Sequence, residues 1–252
     1  MIIEPPPTII KESRDYFGNP TTYLTIEEPH RELSIIARCT VEVESQPDPA
    51  PASTPAWESI AAMLKSSTER ELLDVYQFAF DSPFTQSGND AAVYAESSFP
   101  RGRPVLEGAI DLMNRIYTEF EYEGGVTDVY TPVDTVIAER HGVCQDFAHL
   151  QIAGLRSLGI PSRYVSGYLQ TIPPAGQERL VGADASHAWL SLWVPETGWV
   201  DLDPTNNLLP GAQHITLAWG RDYGDVSPIN GLVVGGGDQA MQVAVDVAPV
   251  TE

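Results

Sequence analysis

Residues 187–203 read HAWLSLWVPETGWVDLD, and this stretch limits the fold more than any other. Strict alternation places Ala188, Leu190, Leu192 and Val194 on one face of a strand and His187, Trp189, Ser191 and Trp193 on the other. PETG is a turn, and GWVDLD is a returning strand. Asp201 and Asp203 stand two positions apart and share a face of that strand. A histidine and two carboxylates therefore meet on adjacent antiparallel strands.

A second feature gives that face a use. GVCQDFAHL (142–150) puts a cysteine directly before a helical pattern in which Ala148, Ile152 and Leu155 recur at helical spacing, with Leu158 next and Gly159 as the stop. A helix N-terminus offers unpaired N–H groups and a positive dipole end, which favour a thiolate. An imidazole completes the ion pair, and a third group holds the imidazole in one tautomer. Cys144, His187 and an aspartate supply these parts in order. Both Asp201 and Asp203 qualify as the third. Pro204 ends the strand after Asp203 and favours that residue slightly, and Asp184 is a weaker candidate.

The rest of the chain predicts an α+β organisation without internal repeats. Strands are expected at 21–28 and 33–44, joined as a hairpin by EEPHRE, with Ile35, Ala37, Cys39, Val41 and Val43 on one face. That pattern makes Cys39 a small core residue. Four prolines in SQPDPAPASTPA (45–56) mark a linker. Helices follow over AWESIAAMLKS, ERELLDVYQFAF and PVLEGAIDLMNRIYTEF, the last with Val105, Ala109, Leu112 and Ile116 on one stripe. TPVDTVIAERHG reads as a short helix with Thr131 as N-cap and Gly142 as stop. IPSRYVSGYL, HITLAW and MQVAVDVAP read as further strands.

Composition narrows the function classes. Fourteen basic residues face 35 acidic ones, a formal net charge of −21, and a surface this acidic repels phosphate backbones. No nucleic-acid partner is expected. No apolar run approaches a membrane span, and the first ten residues, MIIEPPPTII, lack a leader pattern. Two distant cysteines form neither a disulfide framework nor a CxxC pattern. A cytoplasmic protein is expected. A zinc site from Cys144, His149, His187 and an aspartate is disfavoured, because His149 lies about 140° around the helix from Cys144. His149 reads as a packed histidine. His30, His141 and His214 have no partner evident in sequence.

Four motifs occur in order across roughly residues 104–207: GVC at a helix start, RSLGIPSR at its end, the strand HAW, and GWVDLDPT. Together they resemble the transglutaminase-like core, a papain-like cysteine fold. The resemblance implies a helix carrying the cysteine packed on an antiparallel sheet carrying histidine and aspartate. It implies Cys144 as nucleophile, His187 as base and acid, and Asp203 as the orienting carboxylate. RDYFGNPTTYLTIEEPHRELSIIARCTVEVE resembles the latter part of the N-terminal β-domain of bacterial members, and AWGRDYGDVSPINGLVVGGG their C-terminal segment. The implied domains are a partial β-domain over 1–47 and a catalytic domain over 48–252.

For bacterial members the implied activity is hydrolysis of a peptide or isopeptide bond in a peptide or protein substrate, without metal or organic cofactor. Transamidation and a non-catalytic binding module are the rivals. Association with ligase-like or proteasome-like proteins is a further implication. The oxyanion hole would draw on the Cys144 N–H and on Tyr122, from the segment upstream of the nucleophile. Trp189 either walls the thiol pocket or serves the core. Arg221, Asp222 and Tyr223 either rim the cleft or form an ordinary salt-bridged turn.

Overall fold

The computed structural model describes residues 1–44, 50–170, 185–235, 237–238 and 240–250. The chain divides into two compact units, Met1–Val43 together with the segment from Ala248, and Glu44–Val247.

The first unit holds β1 (Ile2–Glu4), β2 (Ile9–Arg14), β3 (Pro20–Thr25) and β4 (Ser34–Ile36). β2 and β3 form an antiparallel hairpin. Its turn is closed by the Asp15 carboxylate, which accepts the backbone N–H groups of Phe17 at 2.9 Å and Asn19 at 2.8 Å. β4 pairs with β1, not with β3. The expected hairpin between 21–28 and 33–44 is therefore replaced by two separate ladders, and the second expected strand shrinks to Ser34–Ile36. Among the described residues no ladder continues beyond Ile36, so the apolar alternation there has no strand partner. Cys39 is exposed, against the expectation of a core residue.

The second unit opens with α1 (Trp57–Ser66), α2 (Arg70–Tyr76), α3 (Asn89–Glu96) and α4 (Val105–Glu119). Then come β5 (Glu121–Tyr122), α5 (Val133–Glu139), β6 (His141–Gly142) and α6 (Cys144–Ser157). The sheet strands are β7 (Ser162–Leu169), β8 (Ala185–Val194), β9 (Gly198–Leu202) and β10 (His214–Gly220), followed by α7 (Tyr223–Val226). They run in the order β10-β7-β8-β9, and every neighbouring pair is antiparallel. β5 and β6 make a short parallel pair that leads into α6.

α6 is the axis of the fold. It packs on β7 and β8 on one side and on α3, α4 and α5 on the other, and every residue from Asp146 to Arg156 is buried. Leu150, Ile152, Leu155, Leu190 and Leu192 join the helices to the apolar face of β8 in one core. Each such side chain contributes about 1.5–3 kcal/mol on burial. Arg156 is buried too, and its guanidinium donates to the carbonyls of Phe78, Ser162 and Arg221 and to the hydroxyls of Ser82 and Thr85. It ties the end of α6 to the 78–85 segment and to the start of the α7 turn. Burial lowers this guanidinium to about 10, which leaves it charged at neutral pH.

Three local expectations are corrected. α5 starts at Val133 with Pro132 as its N-cap, while the Thr131 hydroxyl accepts the Asp128 N–H at 3.0 Å to close the preceding turn. The left-handed stop is Arg140 at φ 60°, not Gly142. Its guanidinium lies 4.7 Å from the centre of the Phe120 ring and pairs with Glu119 at 3.2 Å, contacts that hold this costly backbone state. Residues 241–249 form no strand; the segment is reduced to a single β-bridge at the buried Val245. Among the described residues no helix is long and apolar enough to cross a membrane.

Candidate active site

The site is built where the first turn of α6 meets the polar face of β8. Cys144 is the first residue of α6 and is partly buried. The N–H groups of a first turn have no partner within the helix. Asp146 holds this turn in place. Its Oδ2 accepts the Val143 N–H at 2.8 Å and the Thr127 hydroxyl at 2.7 Å. Gly142 makes room for that carboxylate, because a Cβ there would lie 2.9 Å from both the Cβ and Oδ2 of Asp146. The glycine of GVC thus serves close approach, and the helix N-terminus is fixed by a buried acid. Burial raises that acid, and the two hydrogen bonds oppose the rise.

His187 stands near the start of β8 and is buried. Its Nε2–H donates to Asp203 Oδ2 at 2.8 Å, which leaves Nδ1 for the Cys144 thiol. Burial alone would lower this imidazole. Hydrogen bonds to Asp203 and to Cys144 outweigh it and hold the ring at about 9.

β9 pairs Ser191 with Asp201 and Leu190 with Leu202. That register puts Asp203 next to Trp189, one step nearer His187 than Asp201 can come. Asp201 instead accepts the Trp189 indole N–H at 3.1 Å and the Ser191 hydroxyl in a very short hydrogen bond. Of the two candidates, Asp203 is the one that reaches His187. It lies just past the end of β9, fully buried, its backbone bridged to Leu208. Its Oδ1 accepts the N–H groups of Thr205 at 2.9 Å and Asn206 at 3.2 Å. Its Oδ2 takes His187, the Asn206 amide at 2.7 Å and His214 Nε2 at 3.0 Å. Burial pushes this carboxyl up, but the His187 and His214 N–H groups outweigh that and hold it well below the usual carboxylate range. Asp184 lies outside the described residues.

The other predicted residues fall around this group. Trp189 is fully buried behind it, with its ring 6.0 Å from His187. Gly167 of β7 admits that ring, since a Cβ there would collide with Trp189 and with the Ile215 carbonyl. Tyr122 is 58% exposed and edges onto Phe147 of α6, and its phenol is raised first by burial and then by the charges of Cys144 and Asp146. The Arg221 guanidinium grips Asp225 with two contacts of 2.9 Å. The Asp222 carboxylate caps α7 by accepting the Gly224 N–H and also accepts that of Phe84. The Tyr223 ring packs edge-on against Phe84 and Tyr164, and its N–H donates to His149 Nε2 at 3.2 Å. His149 is the packed histidine expected, stacked on Phe84.

Sequence reasoning did not anticipate three contributors. Asn206 and His214 complete the shell of Asp203. Asn206 was within reach of inference, three residues past the aspartate in DPTN. His214 was not, because only the pairing of β10 with β7 brings it there. Tyr164, buried on β7, is raised well above the ordinary phenol range by burial first and then by Cys144. The ligand atoms of His187, Asp203 and His214 lie within 4.8 Å of one another, a donor set suited to a divalent transition ion. Binding one would require both imidazoles to give up the N–H hydrogen bonds that now hold the carboxylate.

Comparison with known proteins places this arrangement. Residues 94–204 match the model of the transglutaminase-like superfamily, and residues 1–42 match that of the bacterial transglutaminase-like N-terminal region. An uncharacterised protein of Mycobacterium tuberculosis is 39% identical over 254 residues, covering 99% of this chain and 80% of its own length. A Pseudomonas aeruginosa protein named protein-glutamine gamma-glutamyltransferase is 40% identical over 78 residues, 31% of this chain and 12% of that protein. Among solved structures, a protein from Cytophaga hutchinsonii described as a cysteine protease shares the fold with a TM-score of 0.59 at 24% identity, covering 90% of this chain and 71% of that one. With the mixed α/β fold, the motif order and these matches in agreement, the chain belongs to the transglutaminase-like superfamily.

Proposed function

We propose that the chain is a cysteine-dependent amide-bond enzyme working through a thioester, with hydrolysis of a peptide or isopeptide bond as the outcome. The observation that carries this reading is the convergence of Cys144, His187 and Asp203, in which the imidazole bonds the carboxylate at 2.8 Å through Nε2 and meets the thiol on its other side. The thiol proton resides on His187 Nδ1 in a thiolate–imidazolium pair, and the sulfur attacks the amide carbon. The oxyanion faces the first-turn N–H of Cys144 and the Tyr122 hydroxyl. Collapse breaks the C–N bond while His187 returns the proton to the leaving amine. A water molecule, deprotonated by His187, then cleaves the thioester and restores the thiol.

Hydrolysis is the first reading because Tyr122, which edges onto Phe147 of α6, is 58% exposed to water. Transamidation needs a pocket that keeps water from the thioester. It is the second reading, supported by the local identity to the Pseudomonas aeruginosa gamma-glutamyltransferase. A reducing compartment, the cytoplasm, suits an enzyme whose nucleophile must stay a free thiol. Mass spectrometry of a glutamine-containing peptide pool, with and without a primary amine, tests the reading. Cleaved or deamidated products, absent with Cys144→Ala, are expected. Amine incorporation exceeding hydrolysis would replace the first reading with the second, and identical traces from wild type and Cys144→Ala would sink both.

A further inference from the structure

His214 stands behind Asp203 and comes from the far edge of the sheet. It opens β10, and its ring is buried nearly perpendicular to Trp189, with centroids 5.2 Å apart, and 5.9 Å from the His187 ring. β7 and β8 lie between β10 and β9. The gap is bridged on the polar face, where β7 offers only Gly167 opposite His187.

His214 Nε2 lies 3.0 Å from the carboxylate oxygen that His187 reaches at 2.8 Å. An ionised carboxylate only accepts, so both imidazoles must present a protonated Nε2 to it. Among the described residues His214 Nδ1 is buried with no hydrogen-bond partner. An N–H placed there would be a buried donor without an acceptor, a costly arrangement. The hydrogen-bond pattern therefore calls for the Nε2–H tautomer, whose ring hydrogen bond among the described residues goes to Asp203. The Oδ1 side of the carboxylate is anchored by local backbone N–H groups of Thr205 and Asn206. The Oδ2 side, which serves His187, is where His214 binds.

We propose that His214 is a positioning residue of the reaction, a fourth member that holds Oδ2 of Asp203 toward His187 through its Nε2–H. This rests on the cysteine-enzyme reading above.

The test uses the full chain and iodoacetamide as a probe of Cys144 at pH 6, with His187→Ala as the reference for a thiol without its imidazole. His214→Phe keeps the ring volume and removes the donor. It is expected to slow alkylation about tenfold, the worth of one charge-assisted hydrogen bond. His214→Gln places an amide N–H near the same point and should stay within roughly threefold of wild type. ¹⁵N-histidine NMR of the wild type should show His214 as the Nε2–H tautomer, a readout independent of any variant's folding. An Nδ1–H tautomer, or wild-type alkylation in His214→Phe while His187→Ala is slow, would overturn the role and leave the enzyme reading intact. If the wild-type thiol is as slow as that of His187→Ala, the enzyme reading itself falls and takes this proposal with it.

Discussion

Asp146 Oδ2 accepts the backbone N–H of Val143 at 2.8 Å, and the residue that follows Val143 is the cysteine. The acid at the third helical position thereby fixes the point where α6 begins. Asp146→Ala removes this cap and strands the Thr127 hydroxyl, so it should cost about 1–2 kcal/mol in urea denaturation at pH 7. It should also slow Cys144 alkylation, because the first turn frays. Unchanged stability would show that the β5–β6 pair alone sets the helix start.

The two carboxylates of β9 and its end give a paired experiment. Asp203→Asn should slow Cys144-dependent turnover by roughly 100-fold or more, as loss of an oriented acid–base group does. Asp201→Asn, which disturbs the hydrogen bonds to Trp189 and Ser191, should stay within about tenfold of wild type, with a stability cost of about 1–3 kcal/mol. The reverse order would reject Asp203 as the orienting group. The stability difference between wild type and Asp203→Asn should also depend on pH. The His187 imidazole is raised to about 9 in the fold, so its contribution is complete below its unfolded value of about 6.5 and is lost as pH rises through about 9. Asp203 is depressed in the fold, so its contribution is present above about 3.9 and lost on acidification. Denaturation series from pH 5 to pH 9.5 should show the gap largest at the acid end of that range and shrinking above pH 6.5.

His149 should act in the opposite sense. Burial first, and then the Arg156 charge, lower it to about 4 against the pull of Asp222. The unfolded chain takes up this proton below about 6.5 and the fold does not, so stability falls between those two values by about 3 kcal/mol. His149→Gln can still accept the Tyr223 N–H and has no such titration. Wild type should lose roughly 2–3 kcal/mol more than this variant between pH 7 and pH 4.5. Equal losses would mean that His149 is protonated inside the fold.

Much of the candidate site was readable because its residues ride on local periodicity. The alternation of 187–194 placed His187 opposite the core face, and the helical spacing after Cys144 placed the thiol at a first turn. The choice between Asp201 and Asp203 was not readable by periodicity, since both share a face. The register of β8 with β9 separates them. The N-terminal strands were misjudged for a related reason. Alternation in 33–44 specified a strand face without specifying a partner, and only Ser34–Ile36 found one.

By itself the sequence determined which segments are two-faced, where a thiol and an imidazole stand on those faces, and that their motifs belong together. Spacing along a helix or strand obeys fixed repeats, so neighbours within an element are set locally. Tertiary structure alone decided that Asp203 bonds His187, that His214 arrives from β10 to share its oxygen, and that Cys39 stays outside the core. Those outcomes depend on which strands hydrogen-bond to one another and in what register, and no repeat within one segment encodes its partner.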